Sequence, residues 1–245
     1  MRVLAPADAG VKMLSYDVLV EDPNALYVTF DNVGVGRLMA KEILAVKPEG
    51  NYAFIKGDKG DPNATFLFQG IMEVLKAAMD GGKIKNVCET FTDGWKPDNA
   101  QKNMEQCLTS TGNKVDAVVS ENDGMAGGVI SALEAQGLAG QVPVTGQDGD
   151  KAALNRVALG TQLVSVWKDG RNLGKAAGEA AVALCANPDV KALSGTIQFD
   201  TPGGNTLTSI ILDPTPVQKD NLQAVIDANV VTQAELCAGV AAGSV

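Results

Sequence analysis

From residue 26 onward, short apolar runs alternate with longer segments whose apolar residues recur every three to four positions. The runs LYVTF, NYAFIKG, KNVCETFT, VDAVV, QVPVTGQD and TQLVSVWK are short, rich in β-branched residues and bounded, as strands buried on both faces are. The segments after them carry helical spacing and predict helices over 33–46, 65–79, 98–109, about 125 to Gly137, 151–158 and 171–185. Strand–helix repetition of this kind builds a mostly parallel sheet covered by helices. The opening breaks the rhythm. RVLAP and VKMLSYD both read as strands, yet only ADAG separates them. Parallel strands need a crossover of roughly a dozen residues or more, so a segment is expected to be missing there.

In parallel α/β folds, ligands bind outside the carboxyl ends of the strands. The residues that follow the strands are Asp17, Asp31, Asn32, Asp61, Asn63, Trp95, Asn122, Asp123, Gln147, Asp148 and Lys168. Carboxylates and planar amides pair with the hydroxyls of a neutral polyhydroxylated ligand, and an indole covers the apolar face of its ring. Each residue also has an ordinary explanation. Asp and Asn cap helices and shape turns, which is the better reading of Asp31, Asp61 or Asp123 taken singly. Trp95 reads as a packing residue or a ligand platform. The tight polar knot Glu121–Asn122–Asp123 exceeds what a connector needs.

Composition narrows the chemistry. The 245 residues carry a net charge of −9, which repels phosphate backbones and argues against a nucleic-acid partner. The chain has no histidine, which removes Ser-His-Asp and Cys-His catalysis and the commonest zinc ligand. No apolar stretch approaches the ~18 residues of a membrane span. MRVLAPADAG lacks the basic and apolar regions of a signal peptide, which fits a mature form or a missing start.

Four cysteines are widely spaced, with no CxxC. Cys88 lies near the start of a predicted strand. Cys107 lies near the end of the helix that returns beside that strand, so the two fall at one edge and are expected to pair. Cys185 and Cys237 form a second candidate pair on weaker grounds. Other motifs fade. In FDNVGVGRLMAKE, Met39 stands where a dinucleotide fingerprint needs Gly or Ala, so Gly34 and Gly36 read as close-packing residues. QDGD lacks the spacing and terminal Glu of a calcium loop. NAT at 63–65 is a formal glycosylation sequon. The charged residues over 168–179 read as a solvated helix face.

FDNVGVGRLMAKEI, GDKGDPNATFLFQG, TDGWKPDNAQKNME, VVSENDGMAGGVISALEAQGLAG, VTGQDGD and GTQLVSVWKD, in this order and spacing, resemble the periplasmic sugar-binding proteins of ATP-binding-cassette importers. The resemblance implies a type I periplasmic-binding-protein fold: α/β, with two Rossmann-like lobes of parallel sheet and flanking helices that close on a sugar. It implies a monosaccharide ligand, D-xylose, delivered to a membrane permease in the periplasm, with no cofactor and no chemistry on the sugar. Carried over by position, it implies ligand contacts at Asp17, Asn63, Trp95, Asn122, Asp148 and Lys168. After YD the family carries an arginine, whereas this chain has Val18.

The resemblance further implies a remnant of the N-terminal lobe over 1–32 and a complete C-terminal lobe over 33–165. A return to the first lobe over 166–200 and a third crossing with a tail over 201–245 complete the expectation. The truncated lobe is expected to leave its sheet at 11–16 and 26–30 partly uncovered, to be least ordered before Gly10, and to weaken sugar affinity. Two other readings stand against this one by their missing features: a repressor would need a helix-turn-helix with a basic face, and a nicotinamide enzyme the fingerprint rejected above. A sugar-sensing module that presents its bound form to a receptor or sensor kinase remains the alternative to import.

Overall fold

The computed structural model describes residues 11–187 and 189–241. The RVLAP strand and the order expected before Gly10 lie outside the described residues. The chain divides into two compact units. Unit 1 holds the chain up to Asp31 together with Asp169–Pro214, and unit 2 holds Asn32–Lys168 together with the chain from Thr215 onward. The crossing at 168/169 lies three residues beyond the expected 165/166, and that at 214/215 falls within the 201–245 span expected to hold the third crossing and tail. Strand pairing explains both positions. Val164–Trp167 is paired along its length with Thr145–Asp148 and so stays in unit 2. The segment after residue 200 is a strand of the unit 1 sheet rather than a tail.

Unit 2 is built on strands β3 (Gly50–Lys56), β4 (Ile84–Phe91), β5 (Ala117–Ser120), β6 (Thr145–Asp148), β7 (Val164–Trp167) and β10 (Thr215–Val217). β4, β3 and β5 form one ladder and β6, β7 and β10 another. The bridge Val118–Val144 joins them in the order β4-β3-β5-β6-β7-β10. All pairings are parallel except that of β10 with β7.

Helices α1 (Asn32–Val46), α2 (Pro62–Asp80), α3 (Pro97–Thr111), α4 (Asp123–Glu134) and α5 (Lys151–Leu159) follow the strands. The period-2 alternation of β3 separates two cores. Tyr52 and Phe54 pack with Met39 and Ile43 of α1 and Leu67 and Ile71 of α2. Ala53 and Ile55 pack with Met104 of α3 and Met125 and Val129 of α4. Each helix pair meets at glycine. A Cβ on Gly36 would lie 2.0 Å from the Leu67 carbonyl oxygen, and one on Gly128 would lie 2.1 Å from that of Pro97. Gly36 thus serves the close packing expected of it. The short helices α7 (Gln223–Asp227) and α8 (Gln233–Leu236) close a third apolar cluster around Leu154 and Val157.

Cys88 and Cys107 are disulfide-bonded with a Cα separation of 5.9 Å, as their places on β4 and α3 predict. The second expected pair is corrected. Cys185 and Cys237 are free thiols, one exposed in unit 1 and the other half-buried in unit 2.

Unit 1 has a four-stranded sheet in the order β1-β2-β9-β8, from β1 (Met13–Tyr16), β2 (Ala25–Phe30), β8 (Ile197–Asp200) and β9 (Thr206–Leu212). Helix α6 (Gly170–Ala186) lays Leu173, Ala180 and Leu184 on Leu26, Val28 and Phe30. On the opposite side of β2, Tyr27 meets Phe199 edge to face at 5.6 Å. The expected uncovered sheet is therefore corrected for 25–30, where every residue is buried. β9 pairs along the flank of β2 away from β1, and α6 covers one face. Exposure persists nearer the start of the described chain, at Val11 (57%) and Tyr16 (48%). The outer face of α6 is solvated as expected, and its Lys175–Glu179 pair is open to water on both sides.

Candidate functional site

The carboxyl ends of the unit 2 strands carry five of the six residues implied as ligand contacts. Across the sheet, Trp95 follows β4, Asn63 follows β3, Asn122 follows β5, Asp148 ends β6 and Lys168 follows β7. Asp17 belongs to unit 1. Its N–H donates to the Val28 carbonyl at 2.8 Å, and its own carbonyl accepts from the Thr29 hydroxyl at 3.1 Å.

Asp61 organises one end of the rim. It caps α2 by accepting the Asn63 N–H at 2.9 Å, and its other oxygen accepts the Trp95 indole Nε1–H at 3.1 Å. One carboxylate thus both caps α2 and orients Trp95. Trp95 is half-buried and touches both apolar cores. Its six-membered ring lies over Gly57, where a Cβ would come within 2.1 Å of Cη2. Asn63 is 5% exposed, and its Oδ1 accepts from Asn32 Nδ2 at 3.0 Å. That burial keeps the NAT sequon out of reach in the folded unit.

At the other end, Lys168 Nζ pairs with Asp148 Oδ1 at 3.3 Å, and only 10% of the lysine side chain is exposed. Asn122 is the N-cap of α4, accepting the Met125 N–H at 2.8 Å. Asp123 turns inward instead, which corrects the capping role that the sequence favoured for it. One of its oxygens accepts from Gly149 N (3.0 Å), Asp150 N (3.0 Å) and Ser165 Oγ (2.6 Å), and the other from Gln162 Nε2 (2.7 Å). Burial pushes its carboxyl up to about 7, with Ser165 and Gln162 pulling the other way and Asp148 reinforcing the rise. Four donors on two oxygens fit the carboxylate form. Asp123 therefore fixes the turn that leaves Asp148.

Backbone strain gathers at the same residues. Asp17 (φ 61°), Trp95 (φ 57°) and Asp148 (φ 110°) are three of the five non-glycine residues with positive φ among those described. A bulky side chain in this region is a genuine outlier. Such conformations cost of order 1–3 kcal/mol each and cluster at ligand clamps. Among the described residues there is no cluster of three or more His, Cys, Asp or Glu placed to hold a metal ion, so QDGD carries no such group.

This fold and rim define a class of protein. The chain belongs to the periplasmic binding protein family, whose domain model matches residues 5–189. It is 43% identical over 218 residues to the D-xylose-binding periplasmic protein of Escherichia coli, covering 87% of this chain and 64% of that protein. The protein of the same name from Haemophilus influenzae is 42% identical, over 89% of this chain and 64% of its own length. The chain thus spans just under two thirds of the length of these relatives. Among solved structures, an ABC transporter solute-binding protein from Clostridium phytofermentans with bound β-D-glucose superposes with a TM-score of 0.82 at 30% identity. That match covers 94% of this chain and 76% of the other.

Proposed function

We propose that this chain binds a monosaccharide, D-xylose, in the periplasm without altering it, for delivery to the permease of an ATP-binding-cassette importer. The observation that carries the reading is the rim of unit 2, where Trp95, Asn63, Asn122, Asp148 and Lys168 share one edge of the sheet and two of them are held in strained backbone. A platform for a sugar C–H face and groups that pair with hydroxyls are what a neutral polyol requires. The two relatives named for D-xylose point to that sugar. Asp17 is assigned a ligand contact by its position in the sequence and is tested by its own variant.

Titration calorimetry with D-xylose, D-glucose, D-ribose and myo-inositol tests the proposal. D-xylose should bind most tightly, and Trp95→Ala should weaken it about tenfold or more through loss of the stacked face. Lys168→Met and Asp17→Ala should weaken it as well. Absence of binding by any of the four compounds at millimolar concentration, or a Trp95→Ala variant with unchanged affinity, would overturn the assignment.

A further inference from the structure

The seat of the Trp95 indole is a single glycine, and a buried acid holds it. Gly57 directly follows β3, and its N–H donates to Glu121 Oε2 at 2.6 Å. Its carbonyl accepts the Thr92 N–H at 3.1 Å, and the Thr92 carbonyl in turn accepts the Trp95 N–H at 3.1 Å. The indole fills the space where any side chain at position 57 would project. Glu121, at the end of β5, is fully buried, and its Oε1 has no hydrogen-bond partner. An acid in this setting is held there for what its one bonded oxygen positions, because a buried polar atom left unpaired is costly.

We propose that Glu121 is a positioning residue for Trp95: its carboxyl fixes the Gly57 peptide on which the indole is seated, and its protonation state sets how the indole is held. The charges facing it are Lys56 on β3, Glu89 on β4 and Asp61 before α2. Lys56 is engaged elsewhere. Its Nζ is paired with Glu89 and lies 3.9 Å from the Phe91 ring centroid and 4.4 Å from that of Phe68. Burial pushes the Glu121 carboxyl up to about 8, opposed by the Gly57 N–H and Lys56 and reinforced by Glu89 and Asp61. Ionisation sets a second negative charge against Asp61, the group that holds the indole N–H. The link to sugar affinity rests on the function proposed above, whereas the seating of the indole does not.

The test labels the protein with 5-fluorotryptophan and follows the two indole fluorine resonances without sugar, Trp95 being assigned by its loss in Trp95→Phe. In the unaltered protein the Trp95 resonance should titrate between pH 7 and 9 with a midpoint near 8. Glu121→Gln keeps an acceptor for Gly57 and should hold the resonance at its neutral-pH position with no titration. Glu121→Ala should displace it at every pH and raise the Kd for D-xylose about tenfold, the scale of one lost buried hydrogen bond, while Glu121→Gln stays within about twofold. A flat profile in the unaltered protein, a titration that persists in Glu121→Gln, or an undisplaced resonance in Glu121→Ala overturns the proposal. If Glu121→Ala does not fold, the comparison of the unaltered protein with Glu121→Gln decides. If D-xylose does not bind, the functional reading fails, and the sugar-free resonance still decides this one.

Discussion

Replacing Asp123 separates its role in holding the rim from a role in capping. Asp123→Ala removes the acceptor of four hydrogen bonds and leaves the buried Ser165 hydroxyl with nothing to donate to, whereas Gly149 N keeps Ser165 Oγ at 3.1 Å and Gln162 Nε2 keeps the Val164 carbonyl at 3.1 Å. Each buried donor left unsatisfied costs about 1–3 kcal/mol, and water entering the vacated space recovers part of that. The Asp150 N–H opens toward solvent and adds little. One donor left unsatisfied and two bonds lost from donors that keep another acceptor give a net loss of about 2–4 kcal/mol. Asp123→Asn keeps the shape. With its carbonyl oxygen facing Gly149, Asp150 and Ser165, only the contact with Gln162 turns into two opposed donors, a loss of about 1–2 kcal/mol.

Both tryptophans, Trp95 and Trp167, lie in unit 2, so urea unfolding followed by tryptophan fluorescence reads that unit. Asp123→Ala within about 1 kcal/mol of the unaltered protein, or Asp123→Asn as damaging as Asp123→Ala, would refute the network argument.

Two further outcomes follow from the same unit. The Cys88–Cys107 bond spans 19 residues, so chain-entropy reasoning gives it about 3 kcal/mol; a Cys88→Ala/Cys107→Ala double variant should lower the urea midpoint accordingly, and an unchanged midpoint would refute it. Glu121 has its carboxyl raised from 4.5 to about 8, so its contribution to stability is full below pH 4.5 and is lost as pH rises through 8. Relative to Glu121→Gln, the unaltered protein should therefore lose stability across that window, by at most about 5 kcal/mol, and parallel pH–stability curves for the two would contradict the shift.

What was legible in the sequence was local. The strands and helices of unit 2 announce themselves through period and β-branching, and the disulfide follows from where β4 starts and α3 ends. The rim residues were visible because their chemistry is unusual for connectors. Pairings across long separations were not legible. TLTSIIL sits between Gly203–Gly204 and Asp213–Pro214 with every local sign of a strand, yet nothing in it says that Ser209 registers against Tyr27. Missing that pairing left Leu26–Phe30 looking uncovered. The choice between Asn122 and Asp123 as the cap of α4 was equally closed, since both residue types cap helices and only the position of Gly149 and Ser165 draws the aspartate inward.

Strain is the signal that sequence withholds most completely, and here it is the one that singles out the rim. Gly94 and Trp95 adopt left-handed backbone in succession, with φ of 63° and 57°. The glycine does so freely, whereas the tryptophan does so at a cost of about 1–2 kcal/mol. That cost is met by the peptide of Gly57 beneath the ring, the carboxylate of Asp61 on the indole N–H and the bond from the Trp95 N–H to Thr92. A packing tryptophan needs no such arrangement, because an apolar face is satisfied in many orientations. An indole held at one angle by three separate groups supports the ligand platform proposed for Trp95 over the packing role that the sequence had left equally open.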